Sequence, residues 1–291
     1  KGVIKFRICG ELLTYETYEK TNIIQLMNYI RFISKIDLNY YRKPQTGHYV
    51  YVLNNKKYNL RISSLIGKDM DSIVIRILNN HQKLSLENIS KDIHVYQFLK
   101  QIVQKDSGLF VISGGSGKST TLYAILDAIN KMYKKNIITL EDPIEINKDY
   151  CLQIEIDDRK GISYHESLKQ ILRHDPDVIM VCEVRDEKTA QLALTCALTG
   201  HLVLTTIHAS NCINTIKRLE NLNISSLDLE DVLLGIMTQK MRFNDKKEVF
   251  ILSEYIDQKN LLKYFDRKKI DYYDFSKAAC TLKNVGVLNE K

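Results

Sequence analysis

One stretch of sequence, residues 109 to 120, constrains the fold more than any other. It reads Leu-Phe-Val-Ile-Ser-Gly-Gly-Ser-Gly-Lys-Ser-Thr, an apolar strand followed by a glycine-rich turn and then by Lys118 and Ser119. Glycines let backbone N–H groups point at phosphate oxygens, and the helix expected from Leu122 would offer its positive N-terminal end to the same anion. The stretch therefore predicts a phosphate-binding loop in an α/β fold, with a nucleoside triphosphate as its ligand.

This loop supplies most of the candidate binding residues. Lys118 would reach the β- and γ-phosphate oxygens, and the Ser119 hydroxyl would hold Mg²⁺. The general pattern places a glycine where Ile112 stands, so the loop is about two residues short. Either the loop is truly shortened, or residues are missing between Gly114 and Gly115; a glycine turn without a binding role is the remaining alternative. The predicted nucleotide-binding residues are Gly114, Gly115, Ser116, Gly117, Lys118, Ser119 and Thr120.

Composition narrows the class of protein. The chain has 291 residues, 44% hydrophobic and 26% charged, which is typical of a globular protein with two domains. Its net charge of +7 is compatible with nucleic acid, with an acidic membrane surface, or with a solvated lysine-rich surface. No signal peptide is visible, and the most apolar window, residues 192–207, is too short and too polar to span a bilayer.

The cysteines indicate free thiols in a reducing cytoplasm. They are scattered along the chain and none has Cys-x-x-Cys spacing, which argues against a zinc module. The six cysteines are Cys9, Cys151, Cys182, Cys196, Cys212 and Cys280.

The chain divides by its hydrophobic patterns into two parts. Residues 1–79 indicate a small α+β domain, residues 80–92 a polar linker, and residues 93–291 a larger domain. In the small domain we expect strands over 3–8, 49–53, 57–63 and 73–78, a helix over 23–36, and a hairpin turn at Asn54-Asn55.

The larger domain alternates short apolar strands with amphipathic helices. Such alternation predicts a largely parallel sheet with ligands at the carboxyl ends of its strands. After residue 225 we expect a helical stretch, a strand over 249–255 and a helical tail. The predicted strands are 109–113, 137–140, 151–156, 178–182 and 202–207, and the helices lie near 121–134, 164–173, 187–198 and 211–221.

Acidic residues follow two of these strands, where they would face the nucleotide. Glu141, Asp142 and Glu145 surround Pro143 and suit the positioning of Mg²⁺ and an attacking water. Glu183 ends an apolar strand, the usual place for the carboxylate that holds the Mg²⁺ water shell. A surface turn is the alternative for the first group.

Several neighbouring polar residues could serve more than one role. Arg185 could simply pair with Asp186, and Asp175 and Asp177 suit turns or caps better than metal binding. Two histidines bracket the strand 202–207, and they could report the state of the γ-phosphate through hydrogen bonds. We favour a functional role for His208, whereas function and structure are equally plausible for His201.

The four segments together resemble a known family. The loop, Glu-Asp-Pro-Ile-Glu at 141–145, Asp-Pro-Asp to Glu-Val-Arg-Asp at 175–186, and Thr-Gly-His to Thr-Thr-Ile-His-Ala at 199–209 are similar to the Walker A, Asp box, Walker B and His box of secretion (traffic) ATPases. The resemblance implies an α/β, RecA-like P-loop ATPase core with a smaller N-terminal α+β (PAS-like) domain. Within the family, the chain is most similar to the competence pseudopilus ATPases of Gram-positive bacteria.

The resemblance also implies residue roles. Glu145 matches the glutamate proposed to polarise the attacking water, Glu183 the Walker B glutamate, and His208 the His-box residue. Arg61 and Arg76 match N-terminal-domain arginines that contact the γ-phosphate, which needs cationic stabilisation during transfer. Two residues depart from the family pattern, since His48 stands where an arginine is expected and Cys182 where glycine is usual. The implied catalytic residues are Glu145, Glu183, Lys118, His208, Arg61 and Arg76, and the implied metal ligands are Ser119 and Glu183.

A motor function follows from the same resemblance. It implies a cytoplasmic, Mg²⁺-dependent ATPase that works as a homohexamer and binds ATP between its two domains. Domain rotation would drive pseudopilin assembly for DNA uptake through an inner-membrane platform protein, without direct contact with nucleic acid. A DNA-stimulated P-loop translocase and a non-hydrolysing nucleotide-binding scaffold are the alternatives.

Overall fold

The computed structural model describes residues 1–8, 11–37, 43–68, 70–78, 85–157, 161–245 and 248–288. Within them the chain forms two compact units, Lys1–Gln82 and Lys83–Lys291. Residues 80–84 of the predicted linker lie outside the described residues, and the rest of that segment contains a short helix.

The smaller unit contains strands and one helix. Strands β1 and β2 form an antiparallel pair, and β3, β4 and β5 form a second antiparallel sheet in that order. Asn54 and Asn55 turn the chain between β3 and β4 with φ of 50° and 59°, the left-handed conformations that a tight hairpin requires. Strand β2 was not predicted, because its Glu-Leu-Leu-Thr sequence does not alternate. The elements are β1 (Gly2–Ile8), β2 (Glu11–Tyr18), α1 (Lys20–Ile33), β3 (Gln45–Leu53), β4 (Lys56–Ile66) and β5 (Asp71–Leu78).

A buried arginine fastens the helix of this unit to its sheet. The Arg31 side chain is 7% exposed, and its Nη2 lies 3.0 Å from Asp71 Oδ2 on β5. Its Nε donates to Ser64 Oγ on β4 at 3.0 Å, and Nη1 donates to Asn28 Oδ1 at 3.2 Å. A charge removed from water is tolerated only when it is paired and hydrogen-bonded in this way.

The larger unit is an α/β domain, as predicted. Its sheet, within the described residues, has seven strands in the order β12-β11-β6-β10-β9-β7-β8, and every neighbouring pair is parallel except β11 and β12. The elements are α2 (Leu86–Ile89), α3 (Ile93–Val103), β6 (Gly108–Gly114), α4 (Lys118–Met132), β7 (Ile137–Glu141), β8 (Leu152–Glu155), α5 (Tyr164–Ile171), β9 (Val178–Val181), α6 (Glu187–Leu198), β10 (Leu202–Ile207), α7 (Cys212–Glu220), α8 (Ser226–Val232), β11 (Leu233–Phe243), β12 (Val249–Asp257), α9 (Gln258–Phe265) and α10 (Phe275–Asn284).

Strand β6 is an interior strand of this sheet, third in the order of seven, and it is buried along its whole length. Because side chains alternate along a strand, Leu109 and Val111 join the core on one face, whereas Phe110 and Ile112 join the core on the other. Burial on both faces explains why the parallel strands are continuous apolar runs rather than alternating ones.

The prediction of a mainly helical segment after residue 225 is wrong in one place. Residues 233–243 form β11, which pairs with β6 in parallel and with β12 in antiparallel orientation. A short apolar run fits a buried strand or a buried helix equally well, so periodicity alone could not separate them. The C-terminal segment therefore supplies the strand that lies beside the phosphate-loop strand.

Glu254 on β12 connects the sheet to α7. Its side chain is 2% exposed, and its Oε1 accepts a hydrogen bond of 2.6 Å from the backbone N of Cys212, the first residue of α7. This contact places negative charge at the positive end of the helix. Burial raises the pKa of Glu254 above its ordinary value of 4.5, because removal from water disfavours the charged form.

We predict that Glu254→Gln alters stability in a pH-dependent way. A raised folded-state pKa contributes stability that is fully present below pH 4.5 and is lost as the pH rises through the folded-state value. The variant does not titrate there, so its free energy of unfolding should improve relative to the wild type between pH 4.5 and neutral pH. Urea unfolding of both proteins at a series of pH values measures this difference. A difference that stays constant with pH would contradict the prediction.

Candidate functional site

The glycine-rich loop connects β6 to α4. Strand β6 ends at Gly114 and α4 begins at Lys118, so residues 115–117 form the connection. Gly114 has φ of 116°, and a Cβ there would lie 2.0 Å from the backbone O of Gln239 on β11. Gly117 has φ of 83°, which reverses the chain into the helix. Glycine is therefore required at Gly114 for close approach and at Gly117 for the turn.

Lys118 and Ser119 begin α4, where the predicted phosphate site requires them. Lys118 Nζ donates a hydrogen bond of 2.9 Å to the carbonyl of Gly114. Burial lowers the pKa of Lys118, and the nearby Glu183, Cys182 and Glu145 act in the opposite direction. Each of these three residues therefore lies near enough to Lys118 to act on its charge.

The other polar residues of the loop and of the first turn of α4 differ in their surroundings. The Ser119 side chain lies near the Cys182 thiol, which directly follows β9, and acts to lower the pKa of that thiol. Burial raises the pKa of that thiol to about 12, so it stays neutral at physiological pH. Ser116 is exposed in the loop, and Thr120 is half-buried in the first turn of α4.

Glu183 is the centre of a charged cluster. Arg185 Nε donates to Glu183 Oε2 at 2.7 Å, and His208 Nε2 lies 2.8 Å from Glu183 Oε1. Arg185 Nη1 also donates to Asp142 Oδ2 at 3.1 Å. The structure thus joins three of the predicted segments: the Asp box, the Walker B strand and the His box.

The suggested pairing of Arg185 with Asp186 is wrong. The Asp186 carboxylate accepts a hydrogen bond from the backbone N of Thr189 at 2.9 Å and caps the N-terminus of α6. Helix capping therefore takes Asp186 away from the site, and Arg185 turns instead to Asp142 and Glu183.

The three carboxylates of the Asp box have different environments. Glu141 is 1% exposed, and its two oxygens accept hydrogen bonds from Tyr123, Thr139 and Gln153. The expectation that all three carboxylates serve Mg²⁺ and water is therefore wrong for Glu141. Asp142 is engaged by Arg185, whereas Glu145 is half-buried and close enough to affect Lys118.

The two histidines lie at opposite ends of β10. His208 follows the strand at its carboxyl end, next to Glu183. His201 precedes the strand, and its Nδ1 lies 2.9 Å from the carbonyl of Cys196. Of the two alternatives left open for His201, the structure favours the structural one, because in a parallel sheet only carboxyl ends meet at the site.

Arg61 and Arg76 lie in the smaller unit. They occupy directly opposite positions on β4 and β5, and His48 on β3 lies opposite Arg61. Like charges at opposite positions of neighbouring strands repel each other, and an anion bound beside them would relieve that repulsion. Their role at the γ-phosphate stays a prediction.

Sequence reasoning missed three residues next to the site. Tyr123 and Gln153 hydrogen-bond the buried Glu141, and in a sequence they are indistinguishable from core and edge-strand residues. The Tyr164 hydroxyl is buried and makes no hydrogen bond within the described residues. Burial raises the pKa of Tyr164, to which Cys182 and Asp142 also contribute. No local motif marks any of the three.

The donor set suits Mg²⁺ held together with phosphates. Mg²⁺ prefers hard oxygen ligands and usually takes only one or two from the protein, the rest coming from water and phosphate. The Ser119 hydroxyl lies beside the end of β9, and Glu183 follows that strand. In the part of the chain that the structure describes, no three His, Cys, Asp or Glu side chains form a metal-binding group.

The fold and the loop define the class of P-loop α/β proteins, with the phosphate loop at the carboxyl end of the interior strand β6. The chain belongs to the family of type II/IV secretion system proteins, which matches residues 1–265. This confirms the resemblance to secretion ATPases. None of the helices in the described ranges combines the length and the apolar character needed to cross a membrane.

The similar proteins include both competence proteins and a type II secretion ATPase. The chain is 34% identical to the competence protein ComGA of Bacillus subtilis over 242 residues, 82% of this chain and 68% of that protein. It is 37% identical to ComGA of Halalkalibacterium halodurans, over 82% of this chain and 70% of that one. It is also 32% identical to the type II secretion system ATPase E of Vibrio cholerae, over 91% of this chain but only 53% of that protein.

Solved structures show the same fold. The ATPase DotB of Legionella pneumophila superposes with a TM-score of 0.74 at 22% identity, over 97% of this chain and 82% of that chain. The pilus retraction motor PilT, solved with bound ADP, gives 0.65 at 23% identity, over 89% of this chain and 79% of that chain. These likenesses support the architecture.

Two adjacent glycines provide a test of the loop geometry. We predict that Gly114→Ala lowers the free energy of unfolding by about 2 kcal/mol or more. The positive φ disfavours alanine, and its Cβ would clash with the Gln239 carbonyl oxygen. Gly115→Ala is the matched control, because a Cβ at Gly115 meets nothing within 4 Å. Chemical denaturation of both variants measures the effect. Equal stability of the two variants would mean that β6 and β11 do not approach closely at Gly114.

Proposed function

We propose that this protein is a Mg²⁺-dependent ATPase that works as a ring of six subunits and powers assembly of a pilus-like filament for DNA uptake. The observation that carries the enzymatic part is the convergence of Lys118, Ser119 and Glu183 at the carboxyl ends of β6 and β9. Membership of the secretion family supports the ATPase class.

In this proposal the loop binds the phosphates. Lys118, at the start of α4, contacts the β- and γ-phosphate oxygens, and the N-terminal turn of the helix donates backbone N–H groups. Ser119 and Glu183 hold Mg²⁺, which would neutralise charge on the transferring phosphoryl group. Glu145 polarises the attacking water, and its position among the residues around Lys118 supports this role.

His208 would relay the state of the site. Its ring is 67% exposed, while its Nε2 touches the Glu183 carboxylate. An exposed side chain in contact with the Walker B glutamate can change position when that glutamate gains or loses a partner. We therefore assign His208 the task of communicating nucleotide state to a neighbouring subunit.

The cellular role rests on named relatives. ComGA proteins are competence proteins by name, and they match 82% of this chain at 34–37% identity. By analogy we propose that the motor acts in the cytoplasm at the inner face of the membrane. Its partners would be a platform protein of that membrane and pseudopilins, with no direct contact with DNA.

Two other functions have some support. A net charge of +7 favours a translocase that acts on DNA directly, whose activity would depend steeply on salt. The three-residue connection between β6 and α4 favours a scaffold that binds nucleotide without hydrolysing it, because a short loop offers fewer N–H groups to the phosphates.

Mg²⁺-dependent ATP hydrolysis by the purified protein tests the proposal. We predict slow hydrolysis that is indifferent to DNA and is reduced about 100-fold or more in Lys118→Ala and in Glu183→Gln, because each removes a group acting on the transferring phosphate. Lys131→Ala is the control, since Lys131 is exposed in the last turn of the same helix, and it should hydrolyse ATP like the wild type.

Other results would decide between the alternatives. Strong stimulation by DNA would favour the translocase. An assembled wild type that binds ATP but does not hydrolyse it would refute the ATPase and favour the scaffold.

A further inference from the structure

A buried polar cluster lies behind the loop that carries Glu145. It consists of Tyr123 on α4, Glu141 at the end of β7 and Gln153 on β8, and we call it the tyrosine cluster. The Tyr123 hydroxyl donates to Glu141 Oε2, and Gln153 Nε2 donates to Glu141 Oε1 at 2.9 Å. Thr139 Oγ1 donates to the same Oε1 at 2.6 Å. Tyr123 is fully buried and Glu141 is 1% exposed.

The tyrosine cluster also holds the backbone next to Glu145. The N–H of Ile146 donates to the Tyr123 hydroxyl at 3.3 Å, and Gln153 Nε2 donates to the carbonyl of Ile146 at 2.9 Å. Gln153 Oε1 accepts from the backbone N of Lys148 at 2.7 Å. Both polar backbone groups of the residue that follows Glu145 are therefore fixed by this cluster.

A second anchor fastens the far end of the same loop to the same helix. Lys148 Nζ lies 2.6 Å and 2.7 Å from the two carboxylate oxygens of Asp127 on α4. The Tyr150 hydroxyl also donates to Asp127 at 2.5 Å. Because α4 begins with Lys118, one rigid helix connects the phosphate-binding end to the loop of Glu145.

We infer that Tyr123, Glu141 and Gln153 are positioning residues, which set the place of the Glu145 carboxylate relative to the phosphates that Lys118 and Ser119 would bind. The inference rests on the proposed function. Glu141 does not take part in the chemistry, since both of its oxygens are used within the cluster. Its task is to orient Tyr123 and Gln153, which hold the loop directly.

The energetics favour a functional reason for this cluster. A buried carboxylate whose described hydrogen bonds come from neutral donors is costly, and apolar side chains of similar size would stabilise a core at lower cost. What such a cluster provides is one defined geometry, because each member has directional partners. Burial and the Glu141 carboxylate raise the pKa of Tyr123, so its hydroxyl keeps its proton and remains a donor.

Two variants test the inference. Tyr123→Phe removes one hydroxyl that contacts both Glu141 and Ile146, and Gln153→Met removes all contacts of the amide at similar volume. We expect faster hydrogen exchange in residues 141–150 of both, with kcat for ATP roughly tenfold or more lower and KM unchanged, since small displacements of a reacting group have effects of that size. Activity is compared at equal concentrations of folded protein.

Tyr273→Phe is the matched control. The Tyr273 hydroxyl likewise donates to a buried carboxylate, that of Asp92, at 2.7 Å, but it lies outside the site. This variant should lose stability of a similar size while its kcat and its exchange in residues 141–150 stay at wild-type values.

The outcomes separate this inference from the proposed function. Exchange in residues 141–150 that is unchanged in both variants, or a wild-type kcat despite faster exchange, would overturn the inference alone. A wild type that does not hydrolyse ATP would overturn the proposed function, and with it any effect of the cluster on catalysis. This holds even if hydrogen exchange in residues 141–150 is faster in the two variants.

Discussion

The close approach of two backbones at the end of β6 governs the rest of the larger unit. Gly114 has no side chain, and this lets the strand end beside the backbone of Gln239 on β11. Next to Gly114, hydroxyl groups join three elements. The Ser113 hydroxyl on β6 lies 2.7 Å from the Thr238 hydroxyl on β11 and 2.7 Å from the Thr215 hydroxyl on α7. With the end of β6 fixed in this way, the direction of α4 and the place of Lys118 follow.

Charge balance then organises the residues around the loop. The carboxylate of Glu183 contacts Arg185 and His208, and Arg185 reaches Asp142, so segments distant in sequence meet through one arginine. The tyrosine cluster fixes the neighbouring loop through hydrogen bonds to the backbone of Ile146 and Lys148. Catalytic geometry in such a site depends on residues that never touch the substrate, since they restrict the positions of those that do.

Much of the fold could be predicted because its signals are local. The apolar run of β10 and the helix α6 were predicted with the bounds that the structure has, and β6 was predicted within one residue at each end. β11 was missed, because a buried apolar run does not distinguish strand from helix. The position of Glu183 after its strand was predictable, but its contacts were not. Arg185 pairs with Asp142 and not with Asp186, because the Asp186 carboxylate caps a helix. Sequence spacing does not show which of these two contacts Asp186 makes.

The central claim is that the short glycine loop and Lys118 bind nucleotide through its phosphates. Isothermal titration calorimetry with ATP, ADP, AMP and adenosine, each with Mg²⁺, tests it most directly. Binding through the loop predicts that ATP and ADP bind much more tightly than AMP, that adenosine binds weakest, and that Lys118→Ala removes the difference. Equal affinity for AMP and ATP, or an affinity for ATP that does not depend on Lys118, would contradict the account.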